Sequence, residues 1–73
     1  MAKIAKNAVP LGKIVWANIR KWMIVRDVTD EEISALLGIT RLYERIKTSS
    51  ISVAEMDSIA KYLAVEPEKL LER

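Results

Sequence analysis

From Leu11 to about Val25 the apolar residues return at helical spacing: Leu11, Ile14, Val15, Ile19 and Trp22 share one face, and Trp16 and Met23 run along its edge. Pro10 stands just before this run, where proline is best tolerated in a helix. The opposite side carries Lys13, Arg20 and Lys21, so the spacing predicts an amphipathic first helix. A second helix opens at Thr29. Thr29 and Glu32 have the spacing of a capping box, Val28 and Ile33 that of a hydrophobic staple, and Asp30, Glu31 and Glu32 put negative charge at the positive end of the helix dipole. Its buried stripe reads Ile33, Leu36 and Leu37, and Gly38 supplies the left-handed residue that commonly ends a helix.

Thr40 can cap a third helix running to about Thr48, in which only Leu42 and Ile46 form an apolar stripe. Most of that helix must therefore face outward. After the polar turn Thr48-Ser49-Ser50, Ser52 and Glu55 repeat the capping-box spacing and Ile51 and Met56 the staple, so a fourth helix starts near Val53 with Met56, Ile59, Ala60 and Leu63 inward. Val65 closes it, and Glu66-Pro67 opens a last short helix through Leu70 and Leu71. No stretch alternates as a strand does. The expected fold is all-α, a compact bundle of about five short helices spanning residues 10–73, preceded by an aperiodic, flexible basic arm at residues 1–9.

Composition narrows the classes. Seventy-three residues suffice for one domain, and an apolar content of 51% lets a chain this short build a core. Without cysteine or histidine, disulfide stapling and the usual zinc sites are excluded, and no cofactor is implied. The apolar runs are far shorter than the roughly 20 residues that span a bilayer, and residues 1–10 lack the apolar stretch of a secretory signal. A soluble, cytoplasmic protein is expected. The net charge of +2 is small, but it is unevenly placed: residues 1–26 hold six basic side chains and no acid, residues 27–40 four acids and no base, and residues 41–47 return to positive. Whether the two basic segments share a face decides whether a footprint for phosphates exists.

Two helices joined by a short turn containing glycine, the second polar on its outer side, describe a helix-turn-helix, and Thr29 to Lys47 has that shape. In such a unit the first helix braces the second, which enters a major groove about 12 Å wide. The chain resembles the Cro and phage-repressor (Xre-like) helix-turn-helix family over roughly Asn18 to Leu71. Val28-Thr29-Asp30-Glu31-Glu32-Ile33-Ser34-Ala35-Leu36-Leu37-Gly38-Ile39-Thr40 looks like the family's second helix and turn, with Ser34 where a small residue is expected. Leu42-Tyr43-Glu44-Arg45-Ile46-Lys47 is similar to the recognition helices of small phage-type members, and Ile59-Ala60-Lys61-Tyr62-Leu63-Ala64-Val65 with Leu70-Leu71 resembles the family's penultimate helix and ending. The resemblance implies a lambda-repressor-like fold, double-stranded DNA as partner and a homodimer on a two-fold operator. It also has departures: fewer residues between the glycine and the recognition helix, and Thr48-Ser49-Ser50 where family members carry a glycine or proline.

Arg41, in the first turn of the reading helix, is the first candidate for a base contact, because arginine pairs bidentately with guanine. Thr40 serves as cap and, on the resemblance, as a neighbour of phosphate or base. Arg45 and Lys47 suit phosphates better than bases, or are plain surface charge. Tyr43 touches a thymine methyl or the backbone, or packs at the core's edge; Glu44 accepts from a cytosine amino group or pairs with Arg41; Thr48 ends the set. Trp16 and Trp22 belong to the core, the alternative being that Trp16 and Met23 leave an exposed stripe for a dimer contact. Lys3 and Lys6 either reach phosphates from the arm or have no role.

Catalysis finds no support in the residue types: no histidine or cysteine, no glycine-rich phosphate loop, and no base beside Ser49, Ser50 or Ser52. The expectation is a non-enzymatic, sequence-specific DNA-binding transcriptional regulator. The alternative is a protein-interaction module on the same fold, a modulator or antirepressor of another phage or bacterial regulator. The short turn, Glu44 and the low net charge favour it. An excisionase-type recombination adaptor shares the DNA-binding expectation.

Overall fold

Both capping boxes form as their spacing requires. Thr29 accepts from the Glu32 amide and Ser52 from the Glu55 amide, and each glutamate carboxylate returns a bond to the amide of its cap residue. Each box satisfies donors that a helix start otherwise leaves open. In the computed structural model, which describes residues 11–72, they open α2 (Asp30–Leu37) and α4 (Val53–Leu63). Helix α1 (Leu11–Arg26) precedes them, α3 (Leu42–Thr48) lies between, and a single 3₁₀ turn at Pro67–Leu70 follows α4. The described residues are all helix, turn and loop, with no strand. The arm with Lys3 and Lys6, and Pro10 at the start of α1, lie outside them.

The chain holds two glycines, yet four helices must end. Gly38 closes α2 at φ +69°, and Asp27, Ser49 and Ala64 take the same left-handed conformation after α1, α3 and α4. That conformation costs a non-glycine residue on the order of 1 kcal/mol. Each reversal is held by backbone amides returning to the last helical turn, such as Ser50 to Arg45 and Val65 to Ala60, both at 3.0 Å. Helix α4 thus ends at Leu63 and not at Val65, and the expected fifth helix is only one 3₁₀ turn with Pro67 at its start.

Every element contributes to one core: Val15, Trp16, Ile19 and Met23 from α1, Ile33 from α2, Leu42 from α3, Ile59, Ala60 and Leu63 from α4, and Leu70 from the last turn. No polar or charged residue is buried among the described residues. The inward face of α1 is rotated relative to the expected stripe. Trp16 and Met23, expected at its edge, sit at its centre, whereas Leu11 is 54% exposed, so the Trp16–Met23 stripe offers no dimer contact. In this orientation the Trp16 indole Nε1 donates to the Ser50 carbonyl at 3.0 Å, whereas the Trp22 Nε1 is buried without a partner among the described residues. Leu36, expected in the core, is 39% exposed, because the short α2 leans on α4 through Ile33.

Helix α1 is fastened to the rest of the chain by its polar side chains as well. Asn18 Nδ2 donates to the Leu70 and Glu72 carbonyls at 2.9 and 2.6 Å, and Arg26 Nε donates to the Leu63 carbonyl at 3.0 Å. Arg26 places positive charge at the C-terminal end of α4, where the helix dipole favours it. Its guanidinium also lies 5.4 Å from the ring centre of Trp22, which Lys21 approaches at 5.3 Å.

Candidate nucleic-acid interface

Helix α3 is built to be seen from outside. Only Leu42 is fully inside and Ile46 is half-buried, so the remaining side chains surround an exposed surface, with Tyr43 at 65% exposure. The connection from α2 runs through Gly38, Ile39, Thr40 and Arg41, with Ile39 tucked against the core. Thr40 does not cap the helix: Arg41 holds the cap position at φ −133°, with no side-chain bond to the helix amides. The shortness of the turn explains this, since Leu42 must be buried at once and the helix cannot begin before it. Helix α3, expected over residues 40–48, therefore spans residues 42–48.

The candidate residues divide into those on the surface and those already engaged. Thr40, Arg41, Tyr43, Glu44 and Lys47 are exposed. Together with Gly38, Ile39, Arg45 and Thr48, the first two and Glu44 line an open concavity in front of the turn. Arg41 reaches Glu44 at 3.3 Å, one helical turn away, a loose exposed pair that a stronger partner displaces. Tyr43 is not at the core's edge but out in solvent. Thr48 turns its hydroxyl to the Glu44 carbonyl at 3.0 Å and stands 2.9 Å from the Ser50 hydroxyl, which ties the end of α3 to the following turn.

Arg45 is the exception. Its guanidinium meets the Glu55 carboxylate with two bonds of 2.8 and 2.9 Å, a bidentate pair joining α3 to the first turn of α4. One Glu55 oxygen also accepts from the Ser52 amide at 3.0 Å. The Arg45 bonds, and secondly the Ser52 amide, pull the Glu55 carboxyl from its ordinary 4.5 to about 2, and the same carboxylate raises the Arg45 guanidinium. Arg45 thus sets the pose of α3. Sequence reasoning found Glu55 as a capping residue and missed its second partner, ten positions away on another helix.

The pair makes a pH prediction. A carboxylate whose pKa is depressed on folding contributes stability in full above its unfolded value of about 4.5, and loses it as pH falls toward about 2. Glu55→Gln keeps an acceptor for the Ser52 amide but removes the charge. The variant should be less stable at neutral pH by on the order of 1 kcal/mol, and the gap in denaturant midpoint should close between pH 4.5 and 2. A gap that stays constant down to pH 2 would show that the charge on Glu55 contributes nothing.

A second concavity lies on the other side of α3, toward α1. Lys13 and Arg20 from α1 and Lys47 from α3 line it together with Trp16, Ala17, Ile46 and Ser49. The two basic segments of the chain therefore do meet on one face. The signal for half of this was legible: Lys13 and Arg20 are seven residues apart, hence on one side of a helix. That Lys47 joins them depends on how α3 packs. Among the described residues no cluster of acids is gathered to hold a metal ion, and no helix is long and apolar enough to cross a membrane. In comparisons with known proteins, no family model, no curated protein and no solved structure matches the chain.

Proposed function

We propose that the chain is a sequence-specific DNA-binding regulator in which α2, the Gly38 turn and α3 form a helix-turn-helix, with α3 presented to the major groove. The observation that carries this reading is α3 itself: a seven-residue helix anchored inward at Leu42 and Ile46, with Arg41, Tyr43, Glu44 and Lys47 turned outward. Arg41 is the base-reading residue, Thr40 and Tyr43 adjoin the groove wall, and Arg45 holds α3 in place through Glu55. Thr48 secures the helix end, and Lys47 contacts phosphate. The protein acts without catalysis, and as a dimer on a two-fold site, because one module of this size buries too little to bind tightly alone.

The test is a selection from a random duplex library at two salt concentrations. Recovery of a short motif is expected, with Arg41→Ala relaxing one position by about 1–3 kcal/mol and Lys47→Ala weakening all sequences alike. One observation favours the rival reading, a module that binds another regulator: Arg41 at the cap of α3 and Arg45 within it already have carboxylate partners. No motif and no retention at low salt would decide for that rival.

A further inference from the structure

We infer that the cleft between α1 and α3 seats the sugar–phosphate backbone of the duplex, with Lys13 and Arg20 as sequence-independent phosphate contacts beside Lys47; the inference rests on the DNA-binding reading above. The place where a helix-turn-helix would ordinarily meet phosphate is closed in this chain. Helix N-termini attract phosphate through free amides and the positive dipole end, but the first turn of α2 carries Asp30, Glu31 and Glu32, and the Thr29–Glu32 box takes up the Thr29 and Glu32 amides. A phosphate there would face three carboxylates. Lys13, Arg20 and Lys47 instead line the concavity between α1 and α3, and of the three Arg20 alone reaches back to that turn, 3.5 Å from Asp30.

Three features of that concavity fit a polyanion strand. Its lining includes apolar Trp16, Ala17 and Ile46 beside Ser49, a wall of low polarity next to the charges. Lys13 and Arg20 are two helical turns apart, about 10.5 Å along α1. Phosphates of one strand follow at about 3.4 Å of axial rise, so the two residues reach different phosphates. Lys13 and Lys47 form no ion pair among the described residues, and Arg20 has only a long exposed one, 3.5 Å to Asp30. Asp30 competes with phosphate for Arg20, but its carboxylate is 62% exposed, so the pair yields readily to a phosphate.

The experiment measures duplex affinity against salt between about 50 and 200 mM, where each phosphate contact contributes a slope of about 0.9 in log–log form. The variants are Lys13→Gln, Asp30→Asn and Arg41→Ala, each checked by a thermal melt. Lys13→Gln, exposed and unpaired, should melt as the parent does and lower the slope by about 0.9, a difference of about 3.5-fold in affinity over that fourfold range of salt, with the selected motif unchanged. Asp30→Asn should bind more tightly at low salt, since it frees Arg20; a purely structural role for that pair would lower the melting temperature and leave affinity alone. A motif that Arg41→Ala blurs, with a slope that Lys13→Gln does not move, overturns the cleft and leaves the reading helix standing. A slope that falls with Lys13→Gln while no motif is selected supports the cleft and removes the base-reading role. Absence of duplex binding at the lowest salt, with Lys13-dependent binding of polyglutamate instead, overturns both and assigns the cleft to an acidic protein.

Discussion

Replacing Gly12 by alanine should destabilise the protein by about 1–3 kcal/mol, the cost of forcing extra volume into a packed contact. The general rule points the other way, since alanine in place of glycine within a helix stabilises by about 1 kcal/mol. Here the added Cβ would fall on the Ser49 carbonyl oxygen, a backbone atom that cannot swing aside as a side-chain tip does. Relief requires the first turn of α1 to part from the turn between α3 and α4. That turn is already committed: Ser49 sits at φ 57° and Ser50 accepts the Trp16 indole. A urea melt decides the sign. A midpoint below that of the parent is expected, and a gain near 1 kcal/mol would mean that α1 does not approach the turn this closely.

Trp16→Ala should have the largest effect of any single change, about 3–5 kcal/mol for loss of a buried large aromatic. Domains of this length have total stabilities of roughly 4–11 kcal/mol, so much of the population should be unfolded. Trp16 is 2% exposed and is the largest side chain fully inside the core. Its removal leaves a cavity and takes away the donor to Ser50, separating α1 from the turn that ends α3. Trp16→Phe should fall between the two, keeping most of the apolar volume and losing the bond. Circular dichroism melts of the three proteins give the order, and a Trp16→Ala protein within 1 kcal/mol of the parent would place that ring outside the core.

What was legible in the sequence was local. The capping boxes at Thr29 and Ser52, the left-handed glycine at 38 and the proline opening the last turn depend on residues within one helical turn of each other, and all four stand as their spacing requires. The left-handed ends at Ser49 and Ala64 were not legible, because neither residue type prefers that conformation; backbone bonds and the burial of the next apolar residue hold them there. The rotation of α1 escaped for a related reason. Periodicity gives a stripe about 100° wide without saying which edge the core will choose, and the edge used here packs Trp16 and Met23 against elements far along the chain and brings Trp16 Nε1 to a carbonyl 34 residues away. In the candidate interface, exposure of Arg41, Tyr43, Glu44 and Lys47 followed from the narrow stripe of Leu42 and Ile46. The engagement of Arg45 did not, because its partner belongs to another helix.

The polar fastenings of α1 also bear on the order in which the chain can become a protein during synthesis. Trp16, Asn18 and Arg26 find their acceptors at Ser50, at Leu70 and Glu72, and at Leu63 and Ala64. Of the described helices α1 leaves the ribosome first, yet it is among the last to be satisfied, and its apolar face has no complete cover until residue 70 has followed. Helices α2 to α4, whose caps and Arg45–Glu55 clamp close within about thirty residues of one another, can gather earlier around Ile33 and Ile59. The nascent chain spends that interval with a tryptophan-rich amphipathic segment uncovered, the state in which a small domain is most exposed to association.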